Sequence, residues 1–201
     1  MTKNLILIFT RNPELGKCKT RLAKTVGNEN ALTIYKILLN HTSKIVAEVE
    51  YDKAVYYSVK VRINDLWDDN IYQKHQQQGE DLGYRMQNAF VNSFKSGYEK
   101  VIIVGSDLYD LTPKHIEDAF EKLTFHDVVM GPALDGGYYL LGMKNLQPNI
   151  FENKNWGTET VRNDTLSDLK NKSVFLLETL NDIDVYEDVK NYDVFKPYLE
   201  N

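Results

Sequence analysis

The chain has 201 residues, is 42% hydrophobic and carries a formal net charge of −5. At that length one domain over residues 1–201 is expected, with room for a buried core, and no apolar run is long enough to span a bilayer. The acidic balance argues against nucleic-acid partners held by bulk charge, and the single cysteine, Cys18, excludes an internal disulfide, so a reducing, cytoplasmic setting is expected.

Residues 5–9, Leu-Ile-Leu-Ile-Phe, are a continuous apolar run that predicts a buried parallel strand. Residues 28–49 predict a long helix with Leu32, Tyr35, Leu38, Leu39 and Ile45 on one stripe. Strand character follows at 54–59, a helical turn at 64–69, a short strand at 72–76 and a helix at 81–96. Residues 101–104 form a second apolar strand, and Thr112-Pro113 opens a helix to Leu123. Strands are expected at 128–130, 138–141 and 174–177, and helices at 165–170 and 185–190, the last started by a capping box at Asp184-x-x-Glu187. This alternation predicts a three-layer α/β/α fold. The Asp135-Gly136-Gly137-Tyr138-Tyr139 segment adds an antiparallel strand to a mostly parallel sheet.

In open α/β sheets, ligands bind beyond the carboxyl ends of the strands. Three polar clusters fall at such ends. The first, residues 10–22, concentrates Arg11, Lys17, Lys19 and Arg21 in a strand-to-helix loop, which suits a small anionic ligand such as a phosphate. It is neither a P-loop nor a dinucleotide fingerprint, because the required glycines are missing. The same charges also suit a solvated loop. The second cluster is Gly105-Ser106-Asp107, where Asp107 is either a ligand for a divalent cation or a turn residue. The third is Gly131 to Gly137, where Asp135-Gly136-Gly137 is either a tight turn or a close approach to a ligand. Asp107 and Asp135 follow two strands read as neighbours, and two carboxylates beside a cationic loop suit a metal–diphosphate site. Amides in Gln76-Gln77-Gln78-Gly79 are candidates to read a base edge, Trp156 is a pocket wall or core filler, and Asp182 is a further acid available to the site. The four histidines have no metal-ligand spacing.

Taken together, these segments resemble the bacterial glycosyltransferase-A-like family described as radical-SAM/selenodomain-associated transferase 1. The resemblance rests on Pro13-x-x-Gly16-x-x-Lys19-Thr20-Arg21-Leu22, Gln78-Gly79-x-x-Leu82-Gly83-x-Arg85, Gly105-Ser106-Asp107, Asp135-Gly136-Gly137-Tyr138-Tyr139, Trp156 and Asp182-Ile183-Asp184. The chain departs from it at Tyr109, where members usually carry Pro, and at Gly157, often Ser. The resemblance implies a nucleotide-diphospho-sugar transferase fold. It also implies a nucleotide held by Thr10, Arg11, Pro13, Gly16, Lys19, Arg21, Gln78 and Gly79, with Mg²⁺ or Mn²⁺ on Asp107 and Asp135, which are also the catalytic candidates. Gly136, Gly137, Tyr138 and Trp156 would line the substrate pocket. The expected partners are a nucleotide or nucleotide-sugar and a small-molecule acceptor. Glycosyl transfer, nucleotidyl transfer to a small phosphorylated acceptor, and a non-catalytic nucleotide-binding module all fit these residues.

Overall fold

The computed structural model describes residues 3–199. Strand β1 (Asn4–Thr10) sits between β2 (Asp52–Tyr57) and β4 (Lys100–Gly105), parallel to both. Its side chains alternate between two cores: Leu5 and Leu7 enter one, Ile6 and Ile8 the other. A strand covered on both faces has no polar side, which is why the sequence there is apolar without interruption. Strand β3 (Tyr72–Gln76) adds a parallel edge beyond β2. On the other side the order continues through β6 (Tyr138–Met143), β5 (Val128–Pro132) and β7 (Val174–Leu176), giving β3-β2-β1-β4-β6-β5-β7. Only β6 is antiparallel to its neighbours, β4 and β5. The fold is thus a seven-stranded, mostly parallel sheet with one antiparallel strand, as the alternation predicted.

Helices α1 (Thr20–Ala47) and α3 (Pro113–Lys122) cover the Ile6/Ile8 face through Tyr35, Leu39, Ile116 and Phe120. Helix α2 (Leu82–Lys95) covers the other face through Met86, Ala89 and Phe90, and α4 (Val161–Asp168) adds Leu166 there. The C-terminal segment, with α5 (Tyr186–Val189), packs Ile183, Val189 and Phe195 onto Leu22, Ile34 and Leu38 of α1.

Four expectations change. Asp107 and Asp135 do not follow adjacent strands, because the hairpin after β5 folds β6 into the sheet between β5 and β4. Helix α1 starts at Thr20 rather than at 28, and Gly27 breaks it with φ 81 and ψ 162. The short stretch before Gly27 adds Leu22 and Val26 to the cluster that Ile34 and Leu38 form with the C-terminal segment. Residues 64–69 form bends and turns, held by Asp65, which accepts from the Tyr57 hydroxyl and the Lys74 ammonium. The start of α5 is closed by Asp188, which accepts from the amides of Asp184 and Val185, and not by Glu187.

Gly83 lets α2 approach the segment that carries Trp156. A Cβ at this position would lie 2.4 Å from the Phe151 carbonyl oxygen and 2.6 Å from the Trp156 ring. Gly83→Ala should therefore cost about 1–3 kcal/mol by overpacking. Urea unfolding that gives the same midpoint as the parent would show that this contact is not tight.

Candidate active site

The carboxyl ends of β1, β4 and β5 and the start of β6 share one edge of the sheet, and the loops there carry all three polar clusters. Thr10, the last residue of β1, is buried, and its hydroxyl lies 3.2 Å from both the Tyr35 and Ser106 hydroxyls. Tyr35 also accepts from the Arg11 amide at 2.9 Å. Asn12 clasps the neighbouring loop: its Oδ1 accepts from the Val59 amide and its Nδ2 donates to the Lys60 carbonyl. These buried bonds fix the path of the cationic loop before the chain turns into α1.

Lys19 takes up the left-handed conformation (φ 48, ψ 43) immediately before α1. Its side chain is only 8% exposed, and its ammonium donates to Asp107 Oδ2 at 2.9 Å, with Asp184 Oδ1 at 4.0 Å. Burial by itself disfavours the charged ammonium, but the charge and hydrogen bond of Asp107 outweigh it and hold the Lys19 pKa above its ordinary value. Arg21, two residues on and largely exposed, donates to Asp184 Oδ2 at 2.8 Å. Asp184, read from the sequence as a helix cap, is instead the counterion of the first loop.

The C-terminal strand-like segment crosses the ends of β5 and β4. Leu180 pairs with Ala133, Asp182 with Leu108, and the Ile183 amide donates to the Asp107 carbonyl at 3.0 Å. Asp182 is thereby set among Asp107 and Asp135, and all three line one cavity. Burial, then the charges of Asp135 and Asp107, push the Asp182 carboxyl up to about 7. Asp135 accepts from the Gly137 amide at 2.7 Å, so the turn reading of this residue holds while its carboxylate still lines the cavity. Gly136, at φ 91, lies against the segment before α4, where a Cβ would meet the Glu159 carbonyl oxygen at 2.3 Å.

Two cavities meet at this edge. The larger, about 620 Å³, is lined by Arg11, Lys17, Lys19, Arg21 and Arg85 among others. The smaller, about 270 Å³, is walled by Tyr138, Trp156, Met86 and Val161. Phe9, Leu82, Gly105 and Asp107 line both. Of the residues expected from the sequence, Thr10, Arg11, Lys19 and Arg21 face the larger cavity, while Asp135, Gly137, Tyr138 and Trp156 face the smaller. Pro13 lines a separate hollow beside Arg62 and Trp67. Gln78 turns into a groove between α2 and β3, and the Gly79 carbonyl accepts from Arg85 Nε. Gly16 forms a left-handed turn at φ 70. It is Gln77, not Gln78, that lines the larger cavity, with its amide nitrogen donating to the Thr10 and Tyr56 carbonyls. Gln77 belongs to the amide run read as a candidate for a base edge, whereas Tyr35, Arg85 and Asp184 were missed as site residues. Only Arg85 and Asp184 had a signal, as charged members of segments that the resemblance rests on.

The donors around Asp107 are carboxylate oxygens, the ligand type that Mg²⁺ and Mn²⁺ prefer. Among the described residues no group of three or more His, Cys, Asp or Glu side chains forms a closed metal cage. Asp107 and Asp135 line one cavity and offer oxygen ligands there, without a third such side chain to close a metal site among the described residues.

The profile of the family described as "Uncharacterized protein conserved in bacteria (DUF2064)" matches residues 41–158, more than half of the chain. The chain belongs to this family. Its fold is shared with a solved protein of Desulfovibrio desulfuricans G20, described as a "putative nucleotide-diphospho-sugar transferase". That similarity has a TM-score of 0.85 at 31% identity, over 96% of this chain and 90% of the other. A cytidylyltransferase from Leptospira borgpetersenii shares the fold at 12% identity (TM-score 0.60, covering 94% and 84%). So does the 4-diphosphocytidyl-2C-methyl-D-erythritol synthase of Anaerococcus prevotii DSM 20548 at 9% (TM-score 0.62, covering 98% and 96%). No curated protein matches the sequence. Among the described residues no helix of this DUF2064 protein is long and apolar enough to cross a membrane.

The acid cluster has a consequence for stability. The folded Asp182 pKa lies above its unfolded value, so between about pH 4 and 7 the native state binds more protons and stability falls as pH rises. Asp182→Asn removes this penalty. In metal-free buffer the variant should gain on the order of 1–2 kcal/mol over the parent at pH 8 relative to pH 4, after discounting for partial exposure. Parallel melting-temperature profiles for the two proteins would contradict the clustering of charge.

Proposed function

We propose that this protein is a metal-dependent transferase that uses a nucleotide-activated substrate, with a nucleotide-sugar as donor and a small molecule as acceptor. The observation that carries the reading is the junction of the two cavities at Asp107. The larger is lined by Arg11, Lys17, Lys19, Arg21 and Arg85, whose charges suit a diphosphate. The smaller presents aromatic walls and carboxylates, and suits an acceptor. A reaction that joins two substrates needs them side by side with the reacting atoms at the boundary. The Desulfovibrio desulfuricans protein of the same fold, described as a "putative nucleotide-diphospho-sugar transferase", supports the donor class. Mg²⁺ or Mn²⁺ held by Asp107 and Asp135 would offset charge that builds on a departing phosphate group. In this reading Lys19 and Arg21 bind and orient the phosphates, Gln77 borders the donor, and Trp156 and Tyr138 shelter the acceptor from water.

Nucleotidyl transfer is the second reading. It is favoured by the concentration of Arg11, Lys17, Lys19, Arg21 and Arg85 in the larger cavity, where a leaving pyrophosphate would need neutralising.

A thermal-shift panel of nucleotides and nucleotide-sugars, with and without Mn²⁺, tests both. At about a hundred times its Kd, a true ligand should add roughly 2.7 kcal/mol of stability. Arg21→Ala, at an exposed site, should leave the fold intact and weaken the best ligand by about 1.5–3 kcal/mol, the worth of a charged hydrogen bond. Unchanged affinity would remove Arg21 from the site. Turnover with the best donor then separates the chemistries: a nucleoside diphosphate as product supports glycosyl transfer, and pyrophosphate supports nucleotidyl transfer.

A further inference from the structure

We propose that the smaller cavity selects a neutral or cationic acceptor of about one ring in size and rejects phosphorylated and carboxylated ones. The inference deepens the function proposed above and rests on its assignment of this cavity to the acceptor.

The argument starts from what lines the cavity. Its ionisable carboxylates are Asp107, Asp135 and Asp182, and no lysine or arginine lines it. Lys19 lies in the other cavity and is already paired with Asp107 at 2.9 Å, and Arg21, which shares an adjoining hollow with Asp135 and Asp182, is paired with Asp184 at 2.8 Å. An anion in the smaller cavity would therefore meet two or more like charges with no counterion of its own. At short range in a partly dry site this repulsion costs several times what it would in water. A divalent cation at Asp107 does not reverse this, because the diphosphate it would serve brings comparable negative charge.

The walls add to the selection. Phe9, Met86, Tyr138, Trp156 and Val161 present mostly apolar surface, against which a carboxylate or phosphate must shed much of its hydration with no cationic partner in return. The rings also favour a cation, whose charge is attracted to their faces. The Trp156 indole N–H is buried without a protein partner, so it is available as a donor to an uncharged hydroxyl or carbonyl on a ligand that seats deeply. The volume of about 270 Å³ sets the size, near the lower end of small-molecule sites. A phosphorylated acceptor, as nucleotidyl transfer to a phosphate would require, is thus the least compatible occupant.

Three probes of one shape and different charge test this: tyramine, 2-(4-hydroxyphenyl)ethanol and 4-hydroxyphenylacetate. The sequence has two tryptophans, so the indole N–H region of a ¹⁵N spectrum of the full chain holds two signals, and Trp156→Phe assigns that of Trp156. Tyramine and the neutral alcohol should move the Trp156 signal, and 4-hydroxyphenylacetate should need at least ten-fold higher concentration. In the double variant D135N/D182N the preference for tyramine over the anion should shrink at least five-fold. The proposal is overturned if 4-hydroxyphenylacetate binds within two-fold of the alcohol, if the double variant keeps the parent's preference, or if none of the three moves the signal at 10 mM. Nucleotide binding to the same sample is read independently by thermal shift. A failed nucleotide panel with the charge order intact sinks the transferase reading alone, and the converse result sinks the acceptor class alone.

Discussion

The Lys19–Asp107 ion pair ties the first loop to the end of the central strand β4, and the geometry of the site depends on it. The ammonium is almost wholly buried and sits on a residue in the left-handed conformation. A non-glycine residue held there carries strain of order 1 kcal/mol or more. A buried ion pair is weak as a source of net stability, since desolvation offsets most of the attraction, but losing one partner leaves a buried charge uncompensated. The pair therefore serves position rather than stability. It pins the entry of α1 against β4 and sets Asp107 on the wall that the two chambers share.

From that contact the other charges fall into order. Asp184 takes the exposed Arg21 and lies 4.0 Å from Lys19, so both of these cations have a carboxylate within reach. Among the described residues Asp135 and Asp182 form no ion pair, and it is there that acid crowds acid and the Asp182 carboxyl rises to about 7. One side of Asp107 is balanced and open to an incoming anion, which can displace the exposed Arg21–Asp184 contact at little cost. The other side holds uncompensated negative charge. The asymmetry comes from placement alone, because the chain as a whole is only modestly acidic.

Much of this was legible in the residues. The runs at 5–9 and 101–104 read as buried strands because both of their faces are covered, and they pair directly, Leu5 with Val101 and Ile8 with Val104. The antiparallel strand was signalled by Asp135-Gly136-Gly137, whose turn chemistry forces a reversal. Its place between β4 and β5 was not, since strand order is a long-range property that no local pattern encodes. The same limit explains Asp184. Locally it satisfies a helix-start pattern, and only the fold of α1 against the C-terminal segment brings Arg21 to it. Tyr35 looked like one more apolar position on the α1 stripe, yet its hydroxyl organises Thr10, Arg11 and Ser106. Tyr109, where the family resemblance leads one to expect proline, packs its ring on Tyr192 and Phe195 and so helps seat the C-terminal segment that carries Asp182.

The fold by itself does not choose the chemistry, because the solved proteins that share it at 9–12% identity establish architecture and nothing finer. What distinguishes one transferase on this scaffold from another is the group that attacks, and that group must tolerate the chamber in which it waits. A phosphate nucleophile needs cations on its own side of the reacting centre as well as on the donor's. Here the cations lie on one side of Asp107 and the carboxylates and aromatic walls on the other. Such a division suits a nucleophile that arrives uncharged or positively charged and leaves the negative charge to develop in the larger cavity. Glycosyl transfer to a hydroxyl or amine meets that requirement without any change in the side chains. A phosphate nucleophile would find no lysine or arginine among the residues that line the smaller cavity.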